Sequence, residues 1–408
     1  MADRVTVIGW DGSALSGAAR AALDAATLVA GAAHHLVLPE VPTTAERVRL
    51  GSVELAARRI ARHRGTAVVL ADGDPGYFGV VRTLRAPEFG LEVEVHPAVS
   101  SVAAAFARAG MPWDDAQVVT ATRRTLRRAV NVCRAHAKVA VLTSPGAGPA
   151  ELALLLPDVH RTFVVCEALG TDAEQVVVVA SEKAADHVWR DPNVVIVVGG
   201  TATGDGVADQ GAVRLAGSDP ARGRGPRGWA LPASAYPEHA LPPTAGASDR
   251  LRAAQLARLG PRTGDLVWDI GCGSGALAVE AARLGAAVIA VDRDARACTR
   301  TATAARRFGV PLQTVTGAAP PVLEDLPEPD VVRVGGGGVR TVAAIADRRP
   351  ERIVTHAANR DEAEALGRAL ADGGYVVECA LLQSIELDTE SWEESERTVV
   401  FLLSGARD

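Results

Sequence analysis

At 408 residues the chain exceeds what one compact core usually covers, so two domains are expected. Apolar residues make up 48 %, charged residues 23 % and aromatics 4 %, the profile of a soluble globular protein. A net charge of −6 with no long Lys/Arg stripe argues against a nucleic-acid partner. No apolar run reaches the roughly 20 residues that span a bilayer, so no membrane association is expected. Met1-Ala2-Asp3-Arg4-Val5 enters a strand directly, without a signal-peptide pattern. Five scattered cysteines (Cys133, Cys166, Cys272, Cys298, Cys379) form no CxxC pair. That suits a reducing cytoplasm and gives no reason to expect a metal site.

In chain order, Val5-Thr6-Val7-Ile8-Gly9 reads as a buried strand ending in Trp10-Asp11-Gly12, with a helix from about 13 to 29. A second strand, 66–71, ends in Asp72-Gly73-Asp74-Pro75-Gly76-Tyr77-Phe78-Gly79. A third, 91–95, ends in His96-Pro97-Ala98-Val99-Ser100-Ser101, and a helix follows over 102–108. Further strands are read at 117–121, 138–143, 162–167, 175–180 and 193–198, mostly separated by helical stretches, which is the α/β pattern. Ligands of α/β sheets bind at the carboxyl ends of strands, so the first three turns are candidate site elements. His34-His35 precedes a strand with no third partner nearby in sequence and is expected to be structural.

Residues 201–247 hold eight glycines and six prolines and read as a linker between domains 1–200 and 248–408. Trp229-Ala230-Leu231-Pro232 within it is too apolar for a solvated tether and is expected to dock on a domain. Beyond it come a helix over 249–259, a strand at 265–270, a glycine turn, and strands at 286–291, 312–315, 330–334 and 352–355. A helix over 360–371 follows, then two final strands at 375–382 and 397–403. No helix pattern separates the last two, so the expectation is seven strands with an antiparallel final one.

The glycine turn Asp269-Ile270-Gly271-Cys272-Gly273-Ser274-Gly275-Ala276 joins a strand to a helix. Glycines there let a ligand approach the backbone, and the helix N-terminus offers free N–H groups. Gly271, Gly273 and Ala276 satisfy the dinucleotide fingerprint. The same turn also reads D-x-G-x-G-x-G, which suits S-adenosylmethionine, a cofactor whose amino group an acidic residue can hold. Asp292 ends the next strand, where a carboxylate can accept hydrogen bonds from both ribose hydroxyls of either cofactor; the competing reading is a plain N-cap for the next helix. The Asp269 pattern and the antiparallel last strand favour the methyl donor.

The stretch 269–275, Val291-Asp292-Arg293, Gly317-Ala318-Ala319-Pro320 and Val334-Gly335-Gly336-Gly337-Gly338 resemble the decarboxylating precorrin C15-methyltransferase domain. In the first half, Val7-Ile8-Gly9-Trp10-Asp11-Gly12, Gly73-Asp74-Pro75, Pro97-Ala98-Val99-Ser100-Ser101, Val141-Leu142-Thr143 and Ala168-Leu169-Gly170-Thr171 resemble the tetrapyrrole (precorrin) methylase family. Fused in this order, the two resemble the bifunctional decarboxylating C5,15-methyltransferases of cobalamin biosynthesis. The resemblance implies an N-terminal tetrapyrrole-methylase fold of two α/β subdomains, then a Rossmann-like class I methyltransferase. It implies two S-adenosylmethionine sites, a precorrin-type tetrapyrrole substrate and a homo-oligomer. Carried over residue by residue, it places the first cofactor on Gly9, Gly73, Asp74, Tyr77, Ser100 and Ser101. It places the second on Thr244, Asp269, Gly271, Cys272, Gly273, Ser274, Gly275, Asp292, Gly317 and Ala318.

The implied chemistry is methylation at C5 and C15 with loss of carbon dioxide from the C12 acetate, which needs alignment of donor and acceptor more than a catalytic triad. No catalytic residue is singled out. Arg123, Arg124, Arg333, Arg340 and Arg360 are candidate anchors for substrate carboxylates. The alternative is a class I small-molecule methyltransferase with a non-catalytic tetrapyrrole-binding first domain; an NAD-type oxidoreductase is a third reading. The chain departs from the family pattern at Ala121-Thr122-Arg123, at 244–252 and at Ala318, where relatives carry a His-Gly-Arg-like turn, a Thr-Lys-x-Glu-x-Arg pattern and an acidic residue.

Overall fold

The structure, a computed structural model, describes residues 4–157, 159–199, 226, 228–236 and 248–407. Its strands form three sheets. The first holds β1 (Arg4–Trp10), β2 (Leu28–Gly31), β3 (Glu46–Arg49), β4 (Ala67–Asp72) and β5 (Glu92–His96), in the order β3-β2-β4-β1-β5. All its pairings are parallel. Its central strands β1 and β4 are mainly apolar and largely buried, as parallel strands covered on both faces are.

Two of these strands escape the sequence reading. The helix expected over 13–29 stops early: it spans Gly17–Asp24, and Leu28–Gly31 is strand. All four residues of β2 are buried, so the alternation that marks a half-exposed strand is missing. The edge strand β3, Glu-Arg-Val-Arg, is charged and largely exposed, as edge strands that avoid further pairing tend to be.

The second sheet holds β6 (Gln117–Thr120), β7 (Lys138–Leu142), β8 (Thr162–Glu167), β9 (Gln175–Ala180) and β10 (Asn193–Val198), in the order β6-β7-β10-β8-β9. Only β6 and β7 pair in parallel.

The third sheet holds β11 (Leu266–Ile270), β12 (Ala287–Asp292), β13 (Gln313–Thr316), β14 (Val331–Val334), β15 (Arg352–Ala357), β16 (Val376–Leu387) and β17 (Glu394–Ala406). Its order is β13-β12-β11-β14-β15-β17-β16. β17 runs antiparallel to both neighbours, and the other pairings are parallel. Seven strands with an antiparallel last one were expected, though β16 and β17 extend well past their expected ends as a long hairpin. The chain runs outward through β12 and β13, then returns to β14 on the other side of β11. That reversal opens a crevice at the carboxyl end of β11, where ligands of open α/β sheets bind.

Apolar clusters fill both faces of this sheet, one around Val267, Leu277 and Val288, the other around Trp268, Ile289 and Ile345. The segment 228–236 docks on the first. Leu231 and Tyr236 join its core, and Glu280, 1 % exposed, gathers the segment's polar groups. Its carboxylate accepts from the amides of Ala230 and Leu231, from the Tyr236 hydroxyl and from Arg252 Nε at 2.9 Å. Arg252 in turn donates to the Leu231 carbonyl. The apolar character of Trp229-Ala230-Leu231-Pro232 thus reflects a docked strap, although Trp229 itself stays exposed.

The second and third sheets also touch. The helix Leu126–Ala135 lays Asn131 against the third sheet, where its amide donates to the Gly264 carbonyl at 3.0 Å and to Asp330 at 3.2 Å. Arg127 pairs with the same Asp330.

Candidate functional site

In the first sheet, three turns meet at the carboxyl ends of β1, β4 and β5. A Cβ on Gly9 would stand 2.3 Å from the Gly73 carbonyl oxygen, 2.8 Å from the Ala98 amide and 2.9 Å from the Pro75 ring. Only glycine permits this convergence. Gly73, at φ +60°, approaches the Ser101 amide as closely, at 2.6 Å from a would-be Cβ. Asp74 folds its own turn by accepting from the Gly76 amide at 2.8 Å. Ser100 caps the helix Ser101–Ala109 by accepting from the Ala103 amide, so its hydroxyl is already engaged. Tyr77 packs against the apolar cluster around Phe106. Asp11 accepts from the Ser13 and Val99 amides, fastening the first turn to the third. Partial burial would raise its pKa, but these hydrogen bonds outweigh it and hold the carboxyl below its ordinary value. Gly12 packs backbone to backbone on Gly170, which ties this site to the second sheet.

In the third sheet, Gly271, Gly273 and Gly275 all adopt left-handed φ angles of +76°, +57° and +76°. They do different jobs. Gly271 lies against the backbone of Gly336, and Gly275 against Thr301, 2.5 Å from a would-be Cβ. Gly273 faces open space, so its side of the turn is free for a ligand. Asp292 Oδ2 accepts from the Gly273 amide at 3.0 Å, and its Oδ1 from the Asp294 amide. The N-cap of the next helix is Asp294, accepting from the Arg296 amide, so the plain-cap reading of Asp292 falls. The Gly317 amide donates to the Asp292 carbonyl at 2.9 Å, which brings the 317–318 turn beside it. Ser274 closes a local turn with the Ala276 amide. Cys272 is buried beside Thr301, and burial pushes its thiol up to about 12, which removes it as a nucleophile. Thr244 lies outside the described residues.

Asp269 is fully buried. Its Oδ1 accepts from Arg333 at 3.0 Å, and its Oδ2 has no hydrogen-bond partner among the described residues. Burial pushes this carboxyl upward, while the Arg333 charge pulls the other way. Arg333 also donates to the Gly271 carbonyl at 3.0 Å, and Gly335 has no side chain where its guanidinium passes. Proposed as a substrate anchor on the surface, Arg333 is instead an internal brace, because β14 pairs directly with β11 and sets it opposite Asp269. Arg123, Arg124, Arg340 and Arg360 are exposed, and Arg123 lies close to Gly146.

Two groups were not legible beforehand. His356, on β15, lies 3.5 Å from Gln255 and within the field of Arg333; burial and that charge lower its pKa to about 4. The native protein thus keeps His356 neutral where the unfolded chain protonates it. Stability of the third sheet is expected to fall as pH drops below 6.5, until the native group itself titrates near 4. Urea unfolding across that window should show a shallower loss in His356→Gln. Second, His34 and His35 do have a third partner, Asp72, which the β2–β4 pairing brings to them.

Known families account for both halves. A family model described as precorrin methyltransferase domain matches residues 247–402, and one for tetrapyrrole (corrin/porphyrin) methylases matches 10–186. A precorrin-6Y C(5,15)-methyltransferase (decarboxylating) from Sinorhizobium sp is 33 % identical over 390 residues, covering 91 % of this chain and 88 % of the relative. One of the same name from Mycobacterium tuberculosis strain CDC 1551 is 31 % identical over 349 residues, 82 % of this chain and 80 % of its own. A crystal structure of the C-terminal domain of precorrin-6Y C5,15-methyltransferase from Rhodobacter capsulatus is 29 % identical, with a TM-score of 0.38, covering 44 % of this chain and 97 % of that one. With both family models matched in this order and relatives aligned along nearly its whole length, the chain belongs to the precorrin-6Y C(5,15)-methyltransferase (decarboxylating) family.

Proposed function

We propose that this chain methylates a precorrin macrocycle at C5 and C15 and removes the C12 acetate carboxyl as carbon dioxide, using one S-adenosylmethionine site in each of two domains, 1–200 and 248–408, joined by a linker over 201–247. The observation that carries this reading is the presence of two separate glycine-lined strand ends in a chain similar throughout to the bifunctional relatives.

The second site fits the methyl donor on its own geometry. Gly273 leaves open space beside the turn, Asp292 stands at the adjacent strand end, and Asp269 lies buried beneath the turn with no hydrogen-bond partner for its Oδ2 among the described residues. In this reading Asp292 holds ribose hydroxyls, Asp269 and the turn orient the amino-acid end, and Gly271 to Gly275 admit the backbone contact. The 317–318 turn completes the described part of the pocket, and Thr244, outside the described residues, is a further candidate contact. In the first site Gly9, Gly73, Asp74, Tyr77, Ser100 and Ser101 frame the cofactor mainly through backbone atoms. The bound cofactor supplies an electrophilic sulfonium methyl; the chain supplies alignment, and its exposed Arg123, Arg124, Arg340 and Arg360 supply charge for the substrate's carboxylates.

A cytoplasmic setting is supported by five free cysteines, and no helix among the described residues is long and apolar enough to cross a membrane. The β16–β17 hairpin exposes Val376, Leu381, Ile385 and Leu387, which supports assembly with further copies of the chain. Incubation with precorrin-6B and methyl-labelled cofactor is expected to label the macrocycle and release carbon dioxide. A purified, folded chain that transfers no label would remove the proposal.

A further inference from the structure

We propose that His34 and Asp72 form an acid–base dyad of the N-terminal site, in which His34 Nδ1 receives the proton released when a macrocycle carbon is methylated there. This rests on the function proposed above. Asp72 is the last residue of β4, in register with Trp10 at the end of β1, and immediately precedes Gly73-Asp74-Pro75. The dyad therefore stands at the same strand ends as the glycine-lined turns.

His34 Nε2 lies 2.8 Å from Asp72 Oδ1. With Nε2–H donated to the carboxylate, the lone pair of Nδ1 is left free, and no other hydrogen bond to His34 is present among the described residues. The His34 side chain is 36 % exposed, so the ring is within reach of a ligand and of water. Its surroundings hold it in place. The His35 ring packs at 4.1 Å between centroids and the Trp10 ring at 6.2 Å. His35, 1 % exposed, sets its Nε2 2.9 Å from the same Oδ1. The charged group facing His34 is Asp72 from β4; the other neighbours are the His35 ring on its own turn and Trp10 from β1.

Two imidazoles and a carboxylate whose ligand atoms lie within 4.8 Å of one another could also suggest a divalent metal. The tautomer of His35 speaks against it. Its Nδ1 accepts from the Ala32 amide at 3.3 Å, so the proton of the neutral ring sits on Nε2, the atom a metal would require. Metal-bound histidines instead donate from their second nitrogen.

The chemistry calls for a base. Methyl transfer breaks the sulfonium C–S bond, whose electron pair stays on sulfur, and forms a C–C bond from a π pair of the macrocycle. The methylated carbon then carries both methyl and hydrogen, and the macrocycle has gained one positive charge. Breaking that C–H bond returns its pair to the π system and passes the proton to His34 Nδ1, which releases it to solvent. Asp72 stabilises the imidazolium formed. Its hydrogen bond raises the His34 pKa above 6.5, against the opposing effect of partial burial.

The test uses the full chain with a precorrin that already carries the C15 methyl, following C5 methylation against pH. Wild-type turnover should rise with pH through a value above 6.5. His34→Gln should lower kcat about 10²–10⁴-fold and abolish that limb. Asp72→Asn should lower kcat and move the limb to lower pH. Both variants should still bind S-adenosylhomocysteine at the N-terminal as well as the C-terminal site, which shows that the N-terminal half is folded. If His34→Gln and Asp72→Asn keep wild-type turnover and pH profile, the dyad is refuted while the function stands. A wild-type chain that never methylates C5 refutes the underlying function instead. A stoichiometric divalent ion in wild type, lost in His34→Gln, would replace the dyad with a metal site.

Discussion

Asp269→Ala is expected to abolish S-adenosylhomocysteine binding at the C-terminal site and leave the N-terminal site intact, so that calorimetric titration of the chain falls from two sites to one. Asp269 is fully buried, braced on one oxygen by Arg333 and without a hydrogen-bond partner on the other among the described residues. A buried carboxyl with an unfilled acceptor is tolerated in such a place when a ligand donor completes it. Alanine removes that acceptor. It also leaves the Arg333 guanidinium buried without its partner, a loss of about 3–5 kcal/mol, so reduced stability is expected alongside. Asp269→Asn separates the two effects. It keeps an oxygen for Arg333 but loses the charge, and should weaken C-terminal binding by about 1.5–3 kcal/mol, the value of a hydrogen bond to a charged group. Unchanged binding at two sites in a folded Asn variant would remove Asp269 from the cofactor pocket.

Glu280→Ala should destabilise the C-terminal half by about 3–5 kcal/mol and release the strap at 228–236. One carboxylate satisfies Arg252, the Tyr236 hydroxyl and two strap amides, all in the core of the third sheet. Its removal strands a buried guanidinium and several donors together. Chemical denaturation should show the loss in the transition of the third sheet, and proteolysis near Trp229 should accelerate. Because the strap closely precedes Thr244 in the sequence, weaker cofactor binding at the C-terminal site is expected to accompany it. Glu280→Gln, which retains an acceptor for the amides and for Tyr236, should lose less. Equal stability of the alanine variant and wild type would mean that the strap is held by its apolar contacts alone.

What could be read from the sequence were the features whose cause is local. The turn at Asp269 to Gly275 shows itself because left-handed backbone and close approach both demand glycine within a few residues. The presence of seven strands follows from alternating apolar runs and helices, and the antiparallel end from the absence of a helix between the last two strands; their order in the sheet comes from the structure. Features made by pairing distant residues were hidden. Arg333 reads as a candidate substrate anchor until β14 sets it opposite Asp269. His34 and Asp72 are 38 residues apart in sequence and meet only because β2 pairs with β4. β2 itself is four buried residues inside an alanine- and valine-rich stretch, where neither helical nor strand periodicity can show. Glu280 lies within an alanine-rich helix and looks like an ordinary polar position until the strap arrives above it.

The most direct measurement is the mass of the product made by the full chain from precorrin-6B with excess S-adenosylmethionine. Two domains that each transfer a methyl group, one with decarboxylation, predict a single final product with two added methyl groups and one carbon dioxide lost. A final product with only one added methyl, from a chain shown to bind cofactor at both sites, would contradict the account.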